Sequence, residues 1–102
     1  MSSPELTLIV SDEAYDDIID ISLFGIRTWG EQKAAQYVAE LYENFGHITR
    51  FPQLGRVKEG IPGNVRALSH GQHVMYYDVQ GDSIIILRVL HARMDATSYL
   101  DV

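Results

Sequence analysis

Four side chains in the second half of the chain, Arg66, Arg88, His91 and Arg93, could act together on a phosphodiester, with Tyr76 or Tyr77 nearby. A metal-free ribonuclease needs a base for the 2′-hydroxyl, an acid for the leaving oxygen and cations for the phosphorane, and this set contains all three. Arg66, His91 and Arg93 would carry the cleavage. The opposing reading pairs Arg88 with Asp78 across a sheet and Arg93 with Asp95, which makes the charges structural. Composition favours it. Lys33 and Lys58 are the only lysines, the net charge is −6, and residues 1–50 hold nine acidic side chains against three basic ones. Such a surface opposes docking on a nucleic-acid backbone, where affinity comes from clustered cations, so no direct DNA binding is expected.

Other chemistries find less support. Asp16-Asp17-Ile18-Ile19-Asp20 matches the DDxxD pattern that holds magnesium–diphosphate in prenyl synthases. Those sites need a large helical bundle and further carboxylates, so a solvated helix face accounts better for the run. His70 and His73 flank a turn, and no third ligand has zinc-site spacing. Glycine-rich phosphate loops and Ser or Cys nucleophile motifs are absent. With no cysteine in 102 residues there is no thiol chemistry and no disulfide, which suits a reducing compartment. No metal site and no cofactor is expected. The first residues lack the basic and apolar regions of a signal peptide, and no apolar run is long enough for a membrane span, so the expected location is the cytoplasm, without membrane contact.

The length supports one domain, residues 1–102, around one core. Leu6, Leu8 and Val10 alternate with Glu5 and Thr7, the period of a half-buried strand with Ile9 on its other face. Ser11 offers an N-cap hydroxyl, and Asp12 and Glu13 place negative charge in a first helical turn. Tyr15, Ile18, Ile19, Ser22 and Ile26 follow helical spacing as far as Trp29, although Gly25 weakens the helix. Gly30 ends it. Ala34, Val38, Leu41, Phe45 and Ile48 then form the seam of a second, antiparallel helix, stopped by Pro52. Gln53 to Asn64 reads as an irregular connection. Val65 to Leu68, His73 to Val79 and Ser83 to Leu90 read as a meander, separated by Ser69 to Gln72 and by Gln80-Gly81-Asp82. The expected fold is α+β, ordered β-αα-βββ, with a helical hairpin on one face of a small, mostly antiparallel sheet. The run Ile84-Ile85-Ile86-Leu87 belongs in its interior, beside strand one.

Alternation along that last strand sends Ile85, Leu87 and Val89 to the hairpin, with Met75, Tyr77 and Val79. Ile84, Ile86, Arg88 and Leu90 then share a second face with Val74, Tyr76, Asp78, Arg66 and Leu68. No element remains to cover it, unless Thr97 to Val102 or a second copy does. A bare face of this kind is a protein-binding surface, rimmed by His91 and Arg93.

Several stretches together resemble the ParE-type toxins of the RelE/ParE superfamily. They are Trp29-Gly30-Glu31 between the helices, Phe51-Pro52-Gln53-Leu54-Gly55-Arg56, Val65-Arg66-Ala67-Leu68, His73-Val74-Met75-Tyr76-Tyr77 and Arg88-Val89-Leu90-His91-Ala92-Arg93-Met94-Asp95. The resemblance implies the toxin of a type II toxin–antitoxin module, bound in a hetero-oligomer by a ParD-like antitoxin whose C-terminal segment wraps it. ParE-type members are known for poisoning DNA gyrase, whereas RelE-type members cut mRNA on the ribosome. The chain lacks the lysine-rich surface of the latter, although Arg66 is similar to one of their phosphate-binding positions. The resemblance thus implies a gyrase inhibitor, with a ribosome-dependent nuclease or a non-toxic partner-binding member as alternatives.

Overall fold

The computed structural model describes residues 6–100. Its elements are β1 (Thr7–Val10), α1 (Asp12–Trp29), α2 (Glu31–Arg50), β2 (Arg56–Val57), β3 (Arg66–His70), β4 (His73–Gln80), β5 (Ser83–His91) and α3 (Ala96–Tyr99). The sheet order is β1-β5-β4-β3-β2, with β1 parallel to β5 and the other pairs antiparallel. The β-αα-βββ order and the interior place of β5 are as expected. Two short elements are additions: β2, from the segment read as irregular, and α3. Asp95 caps α3 by accepting from the Thr97 N–H at 3.1 Å.

Ser11 joins strand to helix. Its hydroxyl accepts from the Ala14 N–H at 3.0 Å and donates to the Leu87 carbonyl at 2.9 Å, so the cap also ties α1 to the sheet. Gly25 weakens α1 locally, but a Cβ there would lie 3.0 Å from that of Ala34, so the glycine lets the two helices approach. Ala14, Ile18 and Ile21 of α1 and Leu41, Phe45 and Ile48 of α2 meet Met75, Tyr77, Ile84, Ile86 and Val89 in one core. Each large side chain hidden there contributes about 1.5–3 kcal/mol. Only part of the apolar arc of α1 is used: Tyr15, Ile19 and Ile26, expected on the packed stripe with Ile18, are exposed.

The faces of β5 differ from the alternation expected of it. Ile84 and Ile86 are fully buried under the helices, and Leu87 packs on the other side. The cause is the turn. Gln80 pairs with Ser83, so the loop is the two residues Gly81-Asp82 rather than three, and one residue of register sends every side chain to the opposite face. A β-bulge then restores the expected parity: Tyr77 opposes Ile86 but Tyr76 opposes Arg88, leaving Leu87 as the extra residue. Beyond it, Val89 faces the helices and Leu90 the second face, as alternation predicts. Arg66 and Leu68 also move. They oppose Tyr77 and Met75, so they lie on the helix side, and Leu68 packs against that core.

The second face is covered from within the chain. Tyr76 and Leu90 are buried there against Val65, against Ile61 of the connection, and against Ala96 and Leu100 at the C-terminal end, with Val74 at the margin. The expectation of a bare face is therefore corrected. Within Thr97 to Val102, the segment able to cover the face from inside the chain, Leu100 serves, and positions 101 and 102 lie outside the described residues.

Candidate functional site

The charged residues that could do chemistry are spread over three places on this frame. At the β2 end, Tyr77 is fully buried, donates its hydroxyl to the Pro52 carbonyl at 2.7 Å and accepts from the Gly55 N–H at 2.8 Å. Burial raises the Tyr77 pKa, against the Gly55 N–H and the positive Arg66, so the phenol stays protonated. Arg66 gives an Nη1 hydrogen to the Gly55 carbonyl at 2.7 Å. A Cβ on Gly55 would come within 2.8 Å of the tyrosine ring, so only glycine lets the loop close on it. Arg66 and the Pro-x-Leu-Gly-Arg turn thus form a staple that holds the segment after α2 against β3 and β4.

At the bulge, Arg88 keeps to the side of Tyr76, but its guanidinium reaches around the sheet edge left free where β1 ends. It meets Asp17 of α1 in a two-bond fork, Nε to Oδ2 and Nη2 to Oδ1, both at 2.8 Å. Asp17 also accepts the Val89 N–H at 2.9 Å, and Arg88 donates to the Tyr99 carbonyl of α3 at 3.3 Å while lying over the Tyr99 ring. The guanidinium therefore joins hairpin, sheet and C-terminal helix, and the expected Asp78 pairing is replaced by Asp17. A lone aspartate in a run of three gave no sign of this; the only hint was an arginine inside an apolar strand.

The opposite end of the sheet gathers histidines. His73 Nδ1 lies 2.6 Å from the Tyr37 hydroxyl, which is also 3.1 Å from the His70 carbonyl. His70 Nε2 meets Glu40 at 3.0 Å, and the His73 and His91 rings stack edge to face with centroids 5.7 Å apart. Burial lowers the His73 pKa, and the neighbouring His91 and His70 lower it further. A cleft of about 220 Å³ opens here between Asp20, Phe24, Trp29, Gln72, His73 and His91. None of the residues that line it is an arginine or lysine. The Arg93–Asp95 pairing is likewise absent among the described residues: the Asp95 carboxylate takes hydrogen bonds from Thr97 and Ser98, which lower its pKa.

Of the three residues of the nuclease reading, His91 and Arg93 are neighbours, the Arg93 N–H donating to His91 Nδ1 at 3.1 Å, but Arg66 does not join them. Arg66 stands opposite Tyr77 on one side of β4 and His91 opposite His73 on the other. At ~3.3 Å per residue and ~4.8 Å per strand, that separates them by about 13 Å along the sheet and about 10 Å across it. Of the residues proposed for partner binding, Ile84, Ile86, Tyr76 and Leu90 are buried inside the chain, and Arg66 and Arg88 are bonded within it. His91 and Arg93 remain at the surface near the cleft.

Comparison with known proteins places this arrangement. Residues 8–96 match the model of the ParE toxin of the type II toxin–antitoxin system parDE. Toxin ParE1 of Caulobacter vibrioides is 34% identical over 91 residues, 89% of this chain and 94% of that protein. Toxin ParE1 of Mycobacterium tuberculosis is 40% identical over 68 residues, 66% of this chain and 69% of its own length. Among solved structures, a chain of the chromosomal ParDE toxin–antitoxin system of P. aeruginosa superposes with a TM-score of 0.77 at 26% identity, over 87% of this chain and 98% of that one. A chain of the RelBE2 toxin–antitoxin complex of Mycobacterium tuberculosis shares the fold, with a TM-score of 0.66 at 19% identity over 85% of this chain and 91% of that one.

Proposed function

We propose that this chain, which belongs to the ParE toxin family and is the toxin of a type II toxin–antitoxin system, acts as a protein inhibitor of DNA gyrase rather than as a nuclease. Its partner is a ParD-like antitoxin that neutralises it in the cytoplasm. Support for an antitoxin comes from the similar structures, both from toxin–antitoxin systems. The gyrase target rests on the family resemblance.

The observation that carries the inhibitor reading is the dispersal of the cations. A phosphate-cutting site needs its positive groups converged and free to meet the phosphorane. Here Arg66 is bonded to the Gly55 carbonyl and Arg88 to Asp17, neither lines the histidine cleft, and Arg93 beside His91 is left without them. The net charge of −6 opposes RNA docking as well. Among the described residues no helix is long and apolar enough to cross a membrane.

Induced expression in a bacterial host tests the reading. DNA synthesis, followed by labelled thymidine uptake, should stop while messages stay intact, and co-expressed antitoxin should restore growth. Continued DNA synthesis with message cut on the ribosome would overturn it in favour of the nuclease.

A further inference from the structure

We propose that the corner formed by the turn after α2 and by β2, residues Phe51 to Val57, is the surface through which this chain engages its target, and that it takes a protein surface whose apolar pocket is rimmed by Asp and Glu. The inference rests on the gyrase reading above. Phe51, Leu54 and Val57 are 66, 44 and 48% exposed, and among the described residues no large apolar side chain is more exposed than Phe51. Leu54 donates its N–H to the Phe51 carbonyl at 2.9 Å, which closes a turn with the two side chains at its ends. Val57 stands opposite Arg66, whose guanidinium holds the Gly55 carbonyl, so it lies beside that turn. Single apolar side chains on a surface are ordinary. Three within seven residues, beside a crevice of about 560 Å³ lined by Arg50 to Leu54, form a patch.

Rigidity and charge select the occupant. The turn is held from inside, because the buried Tyr77 hydroxyl donates to the Pro52 carbonyl and accepts from the Gly55 N–H. Side chains presented on a backbone fixed in this way lose less entropy when they dock, which suits a folded partner with a preformed pocket. Residues 50–58 hold Arg50, Arg56 and Lys58 and no carboxylate, whereas the rest of the chain holds fourteen carboxylates and five Lys or Arg. Lys58 is close enough to Asp95 to lower its pKa, but Arg56 is exposed and, among the described residues, in no ion pair. On a chain of net charge −6, a positive corner steers encounter toward a negative partner surface. Apolar side chains at the centre with a cation at the rim is the order of a protein interface rather than of a phosphate-binding one. The exposed apolar side chains of α1, Tyr15, Ile19 and Leu23, share their helix with Asp12, Asp16 and Asp20, so the two apolar surfaces select partners of opposite charge. A second copy could offer that acidic helix to the corner, but head-to-tail contacts of this kind do not close into a defined dimer.

The test is inhibition of supercoiling by purified DNA gyrase, for the full-length wild-type chain and two variants, with binding to the antitoxin encoded in the adjacent reading frame measured in parallel. Phe51→Ser with Leu54→Ser should raise the half-inhibitory concentration at least about 30-fold, because anchors at an interface centre carry most of the affinity. Arg56→Glu changes one exposed side chain. It should raise that concentration about tenfold at low salt and less at high salt. Both variants should bind the antitoxin within about threefold of wild type. Circular dichroism melts establish that each is folded; if the serine variant is not, Arg56→Glu decides. Inhibition by the folded variants within about twofold of wild type would overturn the proposal. So would a parallel loss of antitoxin binding, of plasmid binding in a gel shift or of self-association in sedimentation, since the corner would then serve the antitoxin, a nucleic acid or a second copy. A folded wild-type chain that leaves supercoiling intact would instead overturn the gyrase reading, and this surface would fall with it.

Discussion

The two halves of β5 follow opposite rules. From Ser83 to Ile86 the even-numbered side chains point to the helices; past the bulge at Leu87, the odd-numbered Val89 does. The first half is paired on both sides, by β1 and β4. The second half loses β1, and α1 takes that edge: Asp17 accepts the Val89 N–H, while Ser11 donates its N–H to the Ile86 carbonyl and its hydroxyl to the Leu87 carbonyl. A strand can thus change face midway when a side-chain clamp replaces a missing neighbour. The arginine that looked catalytic is that clamp.

Substitutions on the two faces of β5 and at its clamp should cost unequal stability. Ile86→Ala removes a fully buried side chain beneath the hairpin and should cost about 3–4 kcal/mol in urea unfolding, whereas Ile85→Ala, partly exposed on the other face, should cost about 1. Equal losses would mean that the assigned register is wrong. Asp17→Ala leaves the Arg88 guanidinium and the Val89 N–H without their partner, and the pair is mostly buried, so about 2–3 kcal/mol should go. A negligible loss would show that the bulge needs no clamp.

The staple at the far end of β4 is weaker by the same reasoning. Tyr77→Phe keeps the ring in place but strands the Gly55 N–H and the Pro52 carbonyl, at about 1–2 kcal/mol. The smallest effect is a pH dependence. An unfolded histidine takes up its proton near pH ~6.5, while folded His73 does so only at lower pH. As pH falls below that value the unfolded chain binds more protons, so His73 contributes stability above it that is lost on acidification. Melts from pH 7.5 to 5 should therefore fall less steeply in His73→Asn; an identical slope would remove the histidine from the account.

The elements were legible because each had a local signal: the Ser11 cap, the α2 seam, the Pro52 stop and the β-branched run of β5. The faces were not. They depend on whether Gln80 belongs to the turn or to the strand, and no local preference distinguishes the two strongly enough. The bulge depends on Asp17, 71 residues away from Arg88. The cover of the second face had one readable sign, Asp95 before Ala-Thr-Ser, which is an N-cap pattern. The candidate catalytic set fails for a related reason: Arg66 and His91 are close in type to a nuclease pair, but strand register alone sets them opposite Tyr77 and His73, on either side of β4.

Inhibition of DNA gyrase, in place of nucleic-acid cleavage, is the activity proposed for this chain. The direct measurement is a supercoiling reaction with purified DNA gyrase and relaxed plasmid, titrated with the folded chain in the presence and absence of antitoxin. Supercoiling should fall as the chain approaches equivalence with gyrase and return when antitoxin is added. Full supercoiling at a stoichiometric excess of folded protein would contradict it.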